Sequence, residues 1–132
     1  MKPLKIGLLA ALIGSLAFAN ADSLAQKIAV KVKPVKIDNV TFVVGAKAVN
    51  NKVVTKVLVN DVNNYLTYTF KHPEAVNAVK KVLRNRLIKQ FCSDKHILKV
   101  LEKGVEYEVD YTRKSNNKVF LKVNVTEDTC KI

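Results

Sequence analysis

Gln90–Tyr111 reads QFCSDKHILKVLEKGVEYEVDY, and its parts fall into a cysteine, a helix start, a glycine stop and an alternating strand. Ser93 is the expected N-cap, because its hydroxyl can accept from a free amide of the first turn. Asp94 then complements the positive end of the helix dipole. With that cap, Cys92 and Ile97 take the two positions that pack together as a hydrophobic staple. Ile97, Leu98 and Leu101 form the buried stripe, and Gly104 ends the helix in the left-handed conformation that glycine adopts without a Cβ clash. Val105, Tyr107, Val109 and Tyr111 alternate with Glu106, Glu108 and Asp110, which is the period of a half-buried strand.

The partner of that strand carries Val119, Leu121, Val123 and Val125. A two- or four-residue loop would set these apolar residues against the acidic row, so both registers are expected to fail. A three-residue loop, Ser115 to Asn117, puts Tyr111 opposite Leu121, Val109 opposite Val123 and Asp110 opposite Lys122, a favourable charge pair. Phe120 then falls on the polar face opposite Thr112, where an exposed aromatic is a candidate partner contact.

Upstream, asparagine pairs stand at Asn50-Asn51 and Asn63-Asn64, as they do at Asn116-Asn117, and asparagine tolerates the positive φ of tight turns. Two-residue turns at the first two pairs set Phe42 opposite Val59 and Val44 opposite Val57, then Val57 opposite Phe70 and Val59 opposite Tyr68. One face would collect Val40, Phe42, Val44, Val53, Val57, Val59, Leu66, Tyr68 and Phe70, so a three-stranded meander is expected over about 40–70. His72-Pro73-Glu74 opens a helix, with Val76, Val79, Leu83, Leu87 and Phe91 at helical spacing and Lys80, Lys81 and Arg84 toward the other side. The expected fold is α+β: a five-stranded antiparallel sheet in the order β-β-β-α-α-β-β, with two helices mainly on one face and one disulfide. Residues 22–36 form an N-terminal arm or short helix, and 37–132 a single domain.

The first 21 residues have the layout of a cleaved secretory signal peptide. Lys2 and Lys5 precede the apolar run Ile6 to Phe18, and Ala19-Asn20-Ala21 is a small-x-small cleavage site. The run is short for a membrane span, which takes about 20 residues, so no stable span is expected after cleavage. No cysteine stands at the cleavage site, so the leader is not that of a lipoprotein. Removing 21 residues from 132 leaves about 111, and losing two lysines lowers the formal charge from +12 to +10. Such a basic, exported chain is suited to anionic lipid, cell-wall polymer or an acidic protein partner, and export takes it away from most nucleic acid. Both cysteines, Cys92 and Cys130, lie in the exported part, where an even count points to one disulfide.

Reactive constellations are absent from the sequence: no P-loop, Gly-x-Ser-x-Gly elbow or His-Glu-x-x-His occurs, and His72 and His96 have no partner at metal spacing. The Glu106, Glu108 and Asp110 row reads as a solvated strand face. No catalytic, cofactor-binding or metal-binding residue is assigned, and the expectation is a protein that is not an enzyme. The candidate partner contacts are Lys80, Lys81, Arg84 and Phe120. The sequence leaves the oligomeric state undetermined.

Phe91-Cys92-Ser93-Asp94, Ile97-Leu98, Leu101, Gly104-Val105, Tyr107, Tyr111 and Cys130 together resemble the β-class pilotins of bacterial type II secretion. The resemblance covers roughly Pro34 to Cys130 and extends to the order meander, helix, Cys-Ser-Asp helix, hairpin, cysteine. It implies a non-enzymatic periplasmic protein that binds a short segment of a secretin subunit and helps it reach the outer membrane. Those pilotins are lipoproteins, and this leader departs from them in having no lipidation cysteine. Two further readings stay open: a small envelope enzyme or enzyme inhibitor, and a binder of anionic envelope polymers.

Overall fold

The computed structural model describes residues 20–131; most of the predicted leader, residues 1–19, lies outside the described residues, as does Ile132. The chain opens with helix α1, Ala21–Lys31, capped by the Asn20 side chain, which accepts from the Ser23 amide at 2.7 Å. Leu24, Ala25, Ile28 and Ala29 recur at helical spacing and are all buried, so α1 is part of the core. Pro34 lies beyond its end, and the short strand β1, Val35–Lys36, follows. An Asp38 carboxylate oxygen accepts from the Val40 and Thr41 amides and turns the chain into β2, Thr41–Val49.

Asn50, at φ 55°, closes the expected hairpin onto β3, Lys52–Val59, with Val49 opposite Lys52. The register is the expected one only as far as Gly45–Lys56. A bulge between Val43 and Gly45 then inserts Val44, so Val43 faces Val57 and Phe42 faces Leu58. The period of a strand is two, so one extra residue exchanges the faces. Val43 is therefore core, while Phe42 and Val44, expected inside, stand outside.

The third strand of the expected meander is absent from the described fold. Asn63 does adopt positive φ, but Asn64 caps helix α2, Tyr65–Thr69. Its side chain accepts from the Leu66 amide, and the Thr67 hydroxyl accepts from the Asn64 amide in return. Leu66 points into the core and Tyr68 is exposed, which is helical and not strand-like alternation. Helix α3, Pro73–Cys92, begins at the expected proline and buries Leu87 and Phe91. Helix α4, Lys95–Glu102, is capped by Asp94 and not by Ser93; the Asp94 carboxylate accepts from His96 and Ile97. Ser93 instead ends α3, so Cys92 is the last residue of that helix and the staple with Ile97 is not formed. Gly104 stops α4 at φ 93°, as expected.

Strand β4, Glu106–Arg113, pairs in parallel with β3, from Lys52–Glu106 through Val59–Arg113. The helical segment between them carries the chain back to the starting end of β3, which is the connection a parallel pair requires. The five-stranded sheet is therefore mixed, not purely antiparallel, with order β1-β2-β3-β4-β5 and β1 in place of the third meander strand. Strand β5, Val119–Val125, pairs with β4 as expected at Tyr111–Leu121, Asp110–Lys122 and Val109–Val123. The loop nevertheless has four residues: the Arg113 amide donates to the Lys118 carbonyl at 2.9 Å, and Thr112 faces Val119. A bulge at Phe120 restores the pairing beyond it, so loop length and bulge compensate each other.

Leu24 and Ile28 of α1, Leu66 of α2, Leu87 and Phe91 of α3, and Ile97 and Leu101 of α4 meet one core face of the sheet. Phe91 packs edge-on against Tyr107 at 5.0 Å between centroids. Cys92 and Cys130 form the expected disulfide with Cα atoms 5.3 Å apart, tying the end of α3 to the 3-10 turn Asp128–Lys131.

Candidate functional site

With the helices gathered on one face, the other face of the sheet is left open, and the strand registers place its side chains in rows. The first row runs Lys36, Phe42, Leu58, Thr112 and Val119 across all five strands. The next runs Lys56, Asp110 and Lys122, and the one after it Lys47, Val54, Glu108 and Asn124. A strand face turned to water is usually polar. Here Phe42 is 43 % exposed and Val119 46 % exposed, with Val44 and Val49 also exposed on the same face. Both bulges contribute: one turns Phe42 outward, and the other puts Val119 in place of Phe120. Two grooves adjoin along this row. One, of about 330 Å³, is lined by Lys36, Phe42, Leu58, Asn60 and Lys114 among others. The other, of about 400 Å³, is lined by Val44, Lys47, Lys56, Asp110, Thr112 and Val119 among others.

The acidic row on β4 is more engaged than a solvated face. Glu108 lies 3.5 Å from the Lys52 ammonium and 3.9 Å from that of Lys122, and its side chain is largely buried. Burial raises its pKa, but the hydrogen bond with Asp110 and the charges of Lys122 and Lys52 outweigh that and hold it below the usual value. Asp110 is pushed the other way, from 3.8 to about 6, by burial and then by the hydrogen bond and charge of Glu108, against the pull of Lys122 and Lys47. The folded chain therefore holds this proton to higher pH than the unfolded chain does. Stability is lost as pH rises from about 4 to about 6 and stays lost above. Asp110→Asn is expected to be more stable than the parent at pH 7.5, by about 1–2 kcal/mol after solvent screening, with the gap closing near pH 3.5. Urea midpoints at the two pH values measure it, and a destabilised variant at pH 7.5 would refute this account.

The sequence-derived contact residues do not form one site. Lys81 and Arg84 are exposed on the outer side of α3, beside exposed Val82, and Lys80 is half-buried. Phe120 is on the core side and not the polar face: its ring meets Phe70 edge-on at 4.9 Å and Tyr111 at 6.3 Å. The His72 ring meets the Tyr68 ring at a tilt, with centroids 4.5 Å apart, and His96 lies exposed in the first turn of α4. Sequence reading missed the open-face row because two of its outward apolar residues, Phe42 and Val119, depend on bulges. The one local signal was Gly45, which often marks such a bulge within a strand.

These elements define a pilotin-like α+β fold. The structure is similar to that of the pilotin EpsS from the type 2 secretion system of Vibrio vulnificus, covering 99% of each chain with TM-score 0.62 and 15% identity. It is also similar to the type II secretion system pilotin AspS of Vibrio cholerae, with TM-score 0.61, 20% identity and coverage of 83% of this chain and 92% of the other. A candidate secreted protein of Pseudomonas aeruginosa matches with TM-score 0.63 and 16% identity, over 86% of this chain and 98% of that one. At these identities the likeness is one of fold. No protein-family model matches the sequence, and no curated protein does.

Proposed function

We propose that the protein is a non-enzymatic, periplasmic, pilotin-like protein that binds a segment of a secretion-system protein, with a secretin subunit as the first candidate. The observation that carries this reading is the end-to-end match to a pilotin, 99% of each chain, so the whole unit corresponds and not merely a shared sheet. The leader-like start of the sequence and the likeness to a candidate secreted protein support export. The open apolar row supplies a surface on which a protein segment could dock.

Affinity capture from an envelope extract, using the oxidised protein as bait, tests the reading. A secretin subunit is expected among the captured proteins, and its retention should survive a rise in salt to about 0.5 M, where simple charge attraction is screened. Clean capture of an unrelated client would overturn the secretin assignment. Retention of anionic polymer alone, lost as salt rises, would instead favour electrostatic binding through Lys81 and Arg84.

A further inference from the structure

We propose that the open edge of β2 takes an extended, acidic segment of the protein partner as a sixth strand, added antiparallel along residues 45–49. The inference rests on the protein-binding reading above and adds to it a place, a conformation and a chemistry. β1 pairs only with Phe42 and Val43, so among the described residues no strand flanks the rest of β2 on that side. The Glu106 amide donates to the Asn51 carbonyl and the Lys114 amide to the Val59 carbonyl, so odd-numbered residues of β3 turn their backbone groups toward β4. The even-numbered Lys52, Val54 and Lys56 turn toward β2 and engage Val49, Lys47 and Gly45. Backbone groups alternate along a strand, so the amides and carbonyls of Ala46 and Ala48 point out of the sheet edge. Such a row is matched by an extended chain and not by a helix, whose backbone groups are already paired.

The side chains along the edge say what that segment carries. Gly45 has open space where a Cβ would stand, and the groove it borders is lined by Val44, Val54 and Val119 among others. A large apolar residue opposite Gly45 lies across the glycine into that groove. Lys47, next on the same face, makes no hydrogen bond or ion pair among the described residues, whereas Lys52 is held by Glu108 and Lys56 by Asn117. A carboxylate opposite Lys47 is therefore favoured, and exposed Val49 at the hairpin end suits a β-branched neighbour. Asp110, with its unpartnered carboxylate oxygen, lies three inter-strand steps from the added strand, with Lys56 between. That is about 14 Å, beyond the screening length of about 10 Å at 0.1 M salt, so it neither reaches nor repels the newcomer. A second copy of the chain does not fit. Pairing Ala46 with Ala46 sets Lys47 against Gly45 beside Lys56, and pairing Ala46 with Ala48 sets Lys47 against Lys47, so like charges meet in both registers.

The probe is the peptide Thr-Val-Thr-Glu-Thr-Phe-Thr with blocked ends, which sets valine, glutamate and phenylalanine opposite Val49, Lys47 and Gly45. Titrated into the oxidised, isotope-labelled protein at about 0.1 M salt, it should shift the Ala46 and Ala48 amides and protect them from hydrogen exchange. Methylating the amides of the two threonines beside the glutamate removes the donors that face the edge and should weaken binding at least about tenfold. Methylating the amides of the glutamate and the phenylalanine, which point away, should leave it. Lysine in place of the glutamate should weaken binding by about fivefold, and Lys47→Glu should reverse that order. Ala48→Pro deletes one outward amide, leaves the β3 ladder intact and should weaken binding by about tenfold, with a thermal melt close to the parent's. Absence of binding at about 1 mM peptide, equal effects of the two methylations, or shifts confined to Phe42 and Leu58 would each overturn the proposal. Secretin capture that persists undiminished in the Lys47→Glu/Ala48→Pro double variant would keep the functional reading and sink this one. An intact peptide footprint with no secretin captured would do the reverse.

Discussion

Replacing Asp61 with alanine is expected to cost about 3 kcal/mol at pH 7, a large fraction of what a domain of this size has. Asp61 is only 2 % exposed, in the segment that leaves β3. Its carboxylate accepts from Arg113 Nε at 2.8 Å, from the Ser115 amide at 2.9 Å and from the Ser115 hydroxyl at 2.6 Å. Burial pushes the carboxyl up, yet the hydrogen bonds from Ser115 and Arg113 together outweigh it and hold the pKa below 3.8. Its stabilising contribution is therefore complete above the unfolded value and disappears as pH falls through the lower folded one. Alanine leaves the Ser115 amide and hydroxyl without this acceptor. Arg113, partly exposed and packed over the Phe70 ring at 4.3 Å, can turn to water, which keeps the cost at the low end for a broken buried pair. Urea denaturation at pH 7 and pH 3 should show a wide gap between parent and variant that narrows in acid. A loss under about 1 kcal/mol at pH 7 would show that this network matters little.

Reducing the disulfide, or replacing Cys92 and Cys130 by serine, is expected to remove about 3–4 kcal/mol. The bond closes a loop of 38 residues and lowers the entropy of the unfolded chain accordingly. The native side of the balance is favourable too, because Cys130 packs against the core. A non-reducing mass two hydrogens below the dithiol verifies the bond, and a lowered urea midpoint after reduction verifies its effect. An unchanged midpoint would mean that the turn at Asp128–Lys131 holds without it.

Local chemistry was the legible part of this sequence. Gly104, Pro73 and the Tyr111–Leu121 pairing could be read directly, because each depends on neighbours or on alternation across one short loop. The asparagine pairs were half legible. Asn50, Asn63 and Asn117 all take positive φ, but that conformation serves a hairpin equally well as the approach to a helix. At Asn63 the choice is made by distant residues, since Asp61 is held inward by Arg113 and Ser115 across the fold. The parallel pairing of β3 with β4 was invisible for the same reason: nothing near either strand specifies it. The candidate site shared that fate. Phe42 alternates correctly for the core, and only the bulge at Val44, set by packing of the finished sheet, turns it outward.

The pairing of β3 with β4 also divides the molecule in an unexpected way. On one side stands the β2–β3 hairpin, on the other the β4–β5 hairpin, each closable by its own short turn. Between them runs a single seam whose two lips are separated by the roughly 46 residues from Asn60 to Val105. Bringing the lips together carries a loop-closure entropy that neither hairpin faces, so assembly of the sheet waits on that one event. The open-face row crosses the seam between Leu58 and Thr112. The continuous surface from Phe42 to Val119 therefore comes into being only when the two halves have zipped, and each hairpin alone carries just half of it.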